Sequence, residues 1–416
     1  MRKTNSVSFE NVLLDLENYC RGHGWRGPDC YDGLNSRWFR KSPFYRSGMA
    51  RTVWLQALKR SPFNLRPFLG IEPQDNPKAL ALFILGAVAR EVRSPDATRR
   101  QEIRQLADRL VAIRNDDPRG GGWGYPFDWQ SRAFFAGGGT PNIVATAFSG
   151  LALLAAHRLR PERTWLEAAG QGCRFIADHL AIVDETGESL FAYIVGDRSR
   201  IYNASLLGAW LLVEGGAELD RADWIDLGHQ AARRVGRSQA DDGSWPYGPL
   251  PRHRWVDSIH TGYNLIALES IAARLGTGGL DSTIAKGYSF YKNHFIGRDY
   301  VPRYYSNGTY PIDVHSAAVA ILTFLVMSRY DSTAEASAEG VARWTIRRMR
   351  DQRRGFFYFQ KHMFYTIRIP YMRWSQAWMY YALSLLTTFQ AREHQLPART
   401  GTVNALGQAA FHQDGS

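Results

Sequence analysis

Residues 256–270 read VDSIHTGYNLIALES, and residues 312–326 read IDVHSAAVAILTFLV. In both stretches an aspartate and a histidine precede an apolar run that is long enough for a helix of several turns. Similar runs recur about every 55 to 60 residues, with a sixth copy upstream. The anchors of the six copies are Lys78, Thr146, Asn203, His260, His315 and Ser375. A repeat of this length holds two helices, and six helical hairpins can close into a ring, so we predict an all-α fold of the (α/α)6 toroid class.

The two helices of each repeat differ in polarity. The anchored runs are apolar on nearly every side, as buried inner helices are, whereas the stretches between them carry charge on one side, as outer helices do. We expect inner helices from about Lys78, Asn142, Asn203, Ser258, Val314 and Trp374, and outer helices over 98–114, 162–180, 220–237, 281–295 and 333–350. A sixth outer helix should come from residues 7–20 or 46–60. We predict one toroid over residues 1–393, with 1–60 as its closing segment, and a disordered tail over 394–416.

The composition narrows the class of protein. Hydrophobic residues make up 45% and charged residues 22% of the chain, as in ordinary globular proteins. We find no apolar run near the length of about 18 residues that a membrane span needs, and no signal-peptide pattern at the start. The three cysteines, Cys20, Cys30 and Cys173, lack metal-ligand spacing. We therefore expect a cytoplasmic protein with reduced thiols and with no metal or organic cofactor.

The net charge of +12 indicates the kind of partner. Arginine supplies most of the positive charge, and its guanidinium suits carboxylates and phosphates. The sequence shows no zinc finger, basic arm or aromatic nucleic-acid module, so we expect no nucleic-acid partner. An anionic polysaccharide or a lipid-linked oligosaccharide fits better, with peripheral contact to membrane-bound polysaccharide machinery.

The long connections should wall a site. Links from outer to inner helices are long and aromatic, for example the loop GGWGYPFDWQSR at 121–132. Long loops in compact domains are usually functional. All of them would lie at the N-terminal ends of the inner helices, where helix dipoles favour an anionic ligand. We therefore expect a funnel at this end of the ring.

The strongest candidates for chemistry are Asp257, His260 and Tyr263, which the spacing of three puts near one face of a helical turn. Imidazole can act as base or acid near neutral pH, and a carboxylate can fix its tautomer. Asp313 and His315 repeat the pattern. In the alternative interpretation, both aspartates are helix N-caps and both histidines are core residues.

The loop at 121–132 has the residue types that bind sugars, because aromatic faces stack on sugar rings while polar groups bind hydroxyls or a carboxylate. The alternative is an aromatic plug that only packs the loop. Asp128 is a further catalytic candidate, and Trp123, Tyr125, Trp129, Gln130 and Arg132 are binding candidates. Other helix starts and turns add Asn203, Trp245, Tyr247, Arg373, Trp374 and Gln376, and the N-terminal stretch 30–47 adds Tyr31, Asp32 and Asn35.

Two resemblances bear on these expectations. Gln239 and the turn DGSWPYG at 242–248 resemble the QxxDGSW turns of terpenoid cyclases and protein prenyltransferases, which share an α-α toroid. The chain lacks the DxDD acid motif and the zinc ligands of those enzymes, so this turn indicates architecture and not reaction.

A longer likeness runs through the strings YDGLNS, KRSPFNLRPFLGI, GGWGYPFDWQSRAFF, TPNIVAT, DSIHTGYNL, PIDVHSAA and PYMRWSQAWM. They resemble VpsJ-like proteins encoded in bacterial exopolysaccharide clusters, whose fold is that of six-hairpin glycosidases. The resemblance implies a role in making or tailoring a polysaccharide, without a settled reaction.

Three functions remain open at this point. The first is an enzyme of exopolysaccharide synthesis, either a uronyl epimerase or lyase or a glycoside hydrolase, which would need two carboxylates flanking the bond. The second is a terpenoid-cyclase-like enzyme with a deep aromatic pocket and one protonated aspartate. The third is a non-catalytic glycan-binding or assembly protein with an open aromatic groove.

Overall fold

The computed structural model describes residues 8–116, 121–131, 134–183, 187–276 and 279–393. Its helices are α1 (Phe9–Gly22), α2 (Arg37–Lys41), α3 (Gly48–Arg60), α4 (Pro77–Arg93), α5 (Ala97–Ala112), α6 (Ile143–Leu159), α7 (Arg163–Phe175), α8 (Tyr202–Glu218), α9 (Ala222–Gly236), α10 (Ser258–Leu275), α11 (Asp281–Phe295), α12 (Val314–Val326), α13 (Ala334–Met349) and α14 (Trp378–Glu393). The short strands are β1 (Trp129–Gln130), β2 (Phe135–Ala136), β3 (Ala181–Val183), β4 (Ser189–Phe191), β5 (Ile312–Asp313), β6 (Gln360–Lys361) and β7 (Thr366–Ile367).

Six helices form a closed inner ring. Helices α4, α6, α8, α10, α12 and α14 each pack against the next, and α14 packs back on α4. Helices α5, α7, α9, α11 and α13 each pack outside the inner helix that precedes them, and α1 packs outside α14. The predicted (α/α)6 toroid is therefore confirmed.

The inner helices are apolar because they touch neighbours on every side. Every residue of α12 is buried. The ring is also tight: a Cβ at Gly262 of α10 would lie 2.3 Å from Cγ1 of Val319 on α12, so this contact requires glycine. The polar residue at the start of a run has a structural task as well, since Asn76, Asn142, Asp257 and Asp313 accept backbone N–H groups as N-caps.

The predicted inner-helix starts lie close to the observed ones, with one local exception. Residues Met372–Ala377 form a π-helical turn, and the regular helix α14 begins only at Trp378. A π-turn widens the helix and is frequent at functional sites. It brings Arg373 and Trp374 to the funnel end of the ring.

The N-terminal segment takes two roles in the fold. Helix α1 is the sixth outer helix, while the segment 37–70, which contains α2 and α3, lies over the N-terminal ends of the inner helices. Arg40 and Arg51 bond the loop that carries β1, and the amine of Lys59 lies over the Trp374 ring. We call this segment the cap. Within the described ranges, no helix is both long and apolar enough to cross a membrane.

Candidate active site

Asp257 and His260 form a hydrogen-bonded pair at the start of α10. Asp257 Oδ1 accepts the backbone N–H of His260 at 2.9 Å, and Oδ2 lies 2.6 Å from Nδ1 of its ring. The Trp255 indole donates to the same Oδ2 at 3.2 Å. Since the carboxylate is an acceptor, Nδ1 carries the proton and Nε2 is the basic nitrogen. The His260 side chain is 27% exposed and that of Asp257 only 1%, so a ligand can reach the imidazole. The Tyr247 ring contacts His260 edge to face at 4.6 Å.

A second, buried cluster joins three inner helices. The Tyr263 hydroxyl lies 2.6 Å from His315 Nε2 and accepts a hydrogen bond from Lys78 Nζ at 3.1 Å. Burial, and then the charge of Arg373, lowers the pKa of Lys78 well below its usual value. Burial also lowers the pKa of His315 and raises that of Tyr263. Burial therefore favours the neutral form of all three groups. Within the described residues, His315 Nδ1 has no hydrogen-bond partner.

Asp313 does not repeat the arrangement of Asp257. It caps α12 by accepting the backbone N–H of His315 at 2.8 Å, but its other bonds come from Trp374, at 3.0 and 3.2 Å, and from Gln360 Nε2, at 2.6 Å. The pairing of β5 with β6 places Gln360 opposite Asp313. The carboxylate thus orients Trp374, whose ring lies 4.5 Å from that of His315. Of the two predicted pairs, only the first has a carboxylate on the imidazole, because Gln360 and Trp374 occupy the second carboxylate.

Arg373 is held in the funnel by a buried ion pair. Its Nε and one terminal nitrogen donate to the two oxygens of Asp29 at 2.5 and 2.7 Å. The guanidinium also lies over the Tyr125 ring, 4.9 Å from its centroid. Such a bidentate pair fixes the plane of the guanidinium. Arg373 therefore has a rigid orientation before any ligand binds.

Lys59 brings a cation from the cap to the same place. Its amine donates to the Tyr31 hydroxyl at 2.7 Å and lies 5.5 Å from the Trp374 ring centroid. Its charge helps to lower the pKa of His315, so it lies within electrostatic reach of the buried cluster. In the described part of the chain no carboxylate forms an ion pair with Lys59. Its positive charge is therefore held at the inner side of the cap by the Tyr31 hydroxyl and by the faces of two aromatic rings.

The loop 121–131 lies between the cap and the ring. Tyr125 stacks with Phe127, and Trp129 contacts Tyr125 and, at 5.2 Å, the Tyr193 ring. Gln130 accepts a hydrogen bond from an arginine of the cap and donates to two carbonyls of its own loop. The aromatic residues pack mainly on one another, which is the arrangement that the plug alternative describes, with Trp129 partly exposed.

Asp128 ties the cap to this loop. It accepts hydrogen bonds from Tyr45, from Arg40 at 2.6 Å and from the backbone N–H of Gly138 at 2.7 Å. Asn35 strengthens the same junction by donating to a loop carbonyl at 3.0 Å. Burial alone would raise the pKa of Asp128, but the three hydrogen bonds lower it below its usual value. Asp128 is thus a structural clamp in this geometry, with its oxygens already occupied.

Several other predicted site residues have no surface for a ligand. The indoles of Trp123 and Trp245 donate to backbone carbonyls of the outer helices α5 and α9. Both indoles are buried between the inner and the outer helices. Both amide atoms of Gln376 bond to backbone near β6. Asp32 forms a buried ion pair with an arginine of the cap. Arg132 lies outside the described residues.

The sequence analysis missed four residues of the site: Asp29, Lys59, Lys78 and Gln360. The signal for Lys78 was present, because it is the first repeat anchor and thus equivalent to Asn203, which lies buried at the start of α8 with an unpartnered Oδ1. Asp29 and Lys59 come from the segment before the first inner helix, and Gln360 comes from the connection between α13 and α14, so helical periodicity could not reveal them. Within the described residues, no three His, Cys, Asp or Glu side chains could hold a metal ion together.

No family model and no curated protein matches the chain at a significant level. Solved structures do match. A cellobiose 2-epimerase from Bacillus thermoamylovorans B4167 has 12% sequence identity and a TM-score of 0.61, over 76% of this chain and 90% of that chain.

Two further neighbours are similar at the same level. An unsaturated glucuronyl hydrolase of Bacillus sp. GL1, responsible for the degradation of glycosaminoglycan, has 12% identity and a TM-score of 0.62, over 92% of this chain and 95% of that chain. A GH76 α-mannanase of Bacteroides thetaiotaomicron has 9% identity and a TM-score of 0.59, over 76% and 87% of the two chains. What they share with this chain is the (α/α)6 fold. The likeness to VpsJ-like proteins stays a prediction.

Proposed function

We propose that this chain is a glycan-modifying enzyme that moves a proton at a sugar carbon, as an epimerase or a β-eliminating lyase does. The observation that carries the proposal is the geometry of His260. Its Nδ1 is held by the buried carboxylate of Asp257 at 2.6 Å, while the ring is partly exposed at the funnel end. This is the arrangement that a general base needs.

Proton transfer also requires a partner on the other side of the reaction. Tyr263 can supply it, because its hydroxyl bonds His315 Nε2 and Lys78 Nζ, two groups that can take up or return a proton. The rings of His260 and Tyr263 lie 6.3 Å apart, centroid to centroid. Because these rings are in edge-to-face contact, a sugar would lie beside the pair and not between the rings. Its carbon could lose a proton to His260 and regain one from the Tyr263 hydroxyl on the opposite face, which inverts the centre.

Glycoside hydrolysis is less compatible with the carboxylates. It needs two carboxyl groups that face the bond, one of them as acid and the other as base or nucleophile. Asp257, Asp313 and Asp128 each accept at least three hydrogen bonds from protein groups. At Asp313 burial raises the pKa, while the hydrogen bonds from Gln360, His315 and Trp374 oppose protonation. All three donors approach the carboxylate, so it is not free to donate a proton into a pocket in the way that the acid of a terpenoid cyclase does.

We further propose an anionic substrate, a uronate-containing polysaccharide or lipid-linked oligosaccharide of exopolysaccharide synthesis. In a uronate, C5–H is next to the carboxylate, so removal of this proton by His260 gives an enediolate. The ammonium of Lys59 and the helix N-termini would stabilise its negative charge. The names of the structural neighbours, which are an epimerase and two glycan hydrolases, support sugars as the substrate class.

The test uses a panel of glycans in D2O with NMR detection. Polymannuronate and heparosan represent uronates, and cellobiose and mannobiose represent neutral sugars. Deuterium at C5 without new chain ends indicates epimerisation, and an unsaturated uronyl signal indicates elimination. His260→Gln should abolish either signal. New reducing ends without an unsaturated uronyl signal would show hydrolysis and refute proton transfer.

If no compound reacts, binding is measured on the same panel by calorimetry. Equal binding of a glycan by the wild type and by His260→Gln, without turnover, would make the chain a glycan-binding protein.

A further inference from the structure

The outward side of the cap is unusually apolar for a surface that faces water. Phe68 is 81% exposed, Met49 79% and Trp38 70%. Single exposed apolar residues are normal, but a contiguous group marks an interaction site. The exposed large apolar side chains of residues 37–70, which we call the cap surface, are Trp38, Phe44, Met49, Val53, Phe63, Leu65 and Phe68.

Helix α3 shows that this exposure is systematic. Its own residues Leu55 and Leu58 are buried on the inner side of the helix, where Leu55 forms a small core with Leu34. Met49, Val53 and Ala57 recur every four residues and are exposed, so they form a separate stripe along the outer side. A helix that is apolar on both sides normally has a partner on both.

A second exposed element lies beside the cap. The tip of the hairpin between β6 and β7 exposes Phe364 at 91% and Met363 at 64%. Pro62 and Phe63 of the cap line one surface cleft together with Arg368 and Ile369, which directly follow β7, so the base of the hairpin lies beside the cap. Phe356 also lines this cleft. The hairpin tip therefore extends the cap surface.

The charge of the cap points to an anionic partner. Residues 33–71 contain eight lysines and arginines and no acidic residue. Arg40 and Arg66 hold the cap on the body through carboxylates. Lys41, Arg46 and Arg60 are exposed among the apolar side chains, and within the described residues none of them is in an ion pair.

We propose that the cap surface docks on an anionic phospholipid bilayer. Aromatic and aliphatic side chains interspersed with lysine and arginine are typical of surfaces that insert shallowly at the headgroup level, where anionic lipids attract the cations. A second copy of this chain fits poorly, because a two-fold contact would bring the exposed, unpaired cations Lys41, Arg46 and Arg60 against those of the other copy. A protein partner would need an extended acidic surface.

Docking would orient the funnel. The inner side of the cap carries Lys59 against Tyr31 and Trp374, so membrane contact on its outer side brings the funnel entrance to the headgroups. A glycan on a lipid carrier would then reach the site without leaving the membrane. This last step rests on the proposed function, whereas docking itself does not.

The experiment is co-sedimentation of the full chain with vesicles of phosphatidylglycerol or of phosphatidylcholine. We expect binding to phosphatidylglycerol that weakens with salt. Trp38→Ser, Phe44→Ser and Phe68→Ser combined should reduce the partition coefficient by about tenfold or more. Each of Lys41→Gln, Arg46→Gln and Arg60→Gln should reduce it by about fivefold. All six side chains are exposed, so the variants should fold, which thermal melting checks.

The matched controls are exposed residues far from the cap. Val92→Ser and Leu14→Ser control for apolar loss, and Arg274→Gln controls for charge; none should change the partition coefficient. The proposal is overturned if the wild type does not bind phosphatidylglycerol, or if the aromatic variant binds as well as the wild type. It is also overturned if sedimentation shows a dimer that the aromatic variant loses, since a second copy then covers the surface. Glycan turnover in solution is scored separately, so docking and the proposed reaction fail independently.

Discussion

Replacement of Asp257 by asparagine separates the two roles of this residue. Asparagine is nearly as good an N-cap as aspartate, so its carbonyl can keep the bond to the His260 backbone N–H, which is 2.9 Å long. The amide nitrogen then takes the place of Oδ2 and presents N–H groups to His260 Nδ1 and to Trp255, which both donate in the wild type. The imidazole must therefore switch to the other tautomer, in which Nε2 carries the proton and can no longer act as a base.

The structure sets the size of both effects. In the variant a neutral hydrogen bond replaces the charge-assisted one between Asp257 and His260, and the bond from Trp255 is lost, both at a buried position. Together these changes should lower the free energy of unfolding by about 2 kcal/mol. Loss of a correctly oriented base should slow proton transfer by about 10²- to 10⁴-fold. The assay is the rate of deuterium incorporation at the sugar carbon, with urea unfolding measured on the same samples.

Asp96→Asn is the matched control. Asp96 caps the outer helix α5 through the Arg99 backbone N–H at 2.7 Å, far from the funnel. Its substitution should change stability slightly and leave the rate unchanged. If Asp257→Asn shows the expected loss of stability but retains the wild-type rate within about threefold, Asp257 is a helix cap and His260 is not the base.

Three further predictions concern ionisable groups that are buried. Lys78→Met should leave stability at pH 7 equal or higher, because it removes an amine whose charged form burial disfavours, while the reaction slows as Tyr263 loses a partner. Asp128→Asn should destabilise the protein by about 2 kcal/mol at pH 7. Because its folded pKa is lowered, the contribution of Asp128 is present above the unfolded pKa and is lost as pH falls through the folded one, so the difference from the wild type should shrink in acid. Asp29→Ala should cost about 3 to 5 kcal/mol, since Arg373 is left charged and buried.

Urea unfolding checks all three predictions, and for each of them one result would contradict the reasoning. A Lys78→Met variant that is clearly less stable would mean that the amine is charged and stabilising. A difference between Asp128→Asn and the wild type that is constant with pH would show that the clamp does not depend on ionisation. Arg373→Met added to Asp29→Ala should restore much of the loss, and strict additivity of the two changes would contradict the ion pair.

The fold was predictable because the toroid repeats its own pattern. Inner helices that touch neighbours on every side must be apolar all round, and outer helices must be amphipathic, so each repeat carries both signals. The inner helix predicted to begin at Trp374 begins at Trp378 instead, because residues Met372–Ala377 form a π-turn. The backbone hydrogen bonds of a π-turn leave no signal in side-chain periodicity. The choice between residues 7–20 and 46–60 for the sixth outer helix also depends on tertiary contacts, which favour α1.

The site was only partly predictable, because capping and catalysis use the same residue types. DSIH at 257–260 and DVH at 313–315 both begin inner helices with aspartate as N-cap. The difference between them comes from elsewhere in the chain: Gln360 and Trp374 occupy Asp313, whereas the second oxygen of Asp257 is left to the imidazole and to Trp255. No local pattern contains Gln360, which is 47 residues from Asp313.

The toroid also explains why the site and the cap surface lie at the same end. The inner helices are parallel, so their N-termini, their caps and the long loops that enter them all converge there, while the opposite end receives only short connections. The polar groups that begin the six inner helices thus form one polar surface at the bottom of the funnel, which we call the floor. Any segment that covers the floor becomes part of the site. Residues 37–70 are that segment: Lys59 faces the floor and Phe68 faces outward. If Phe68 and its neighbours meet a membrane and Lys59 meets a substrate carboxylate, one stretch of chain links the location of the protein to its chemistry.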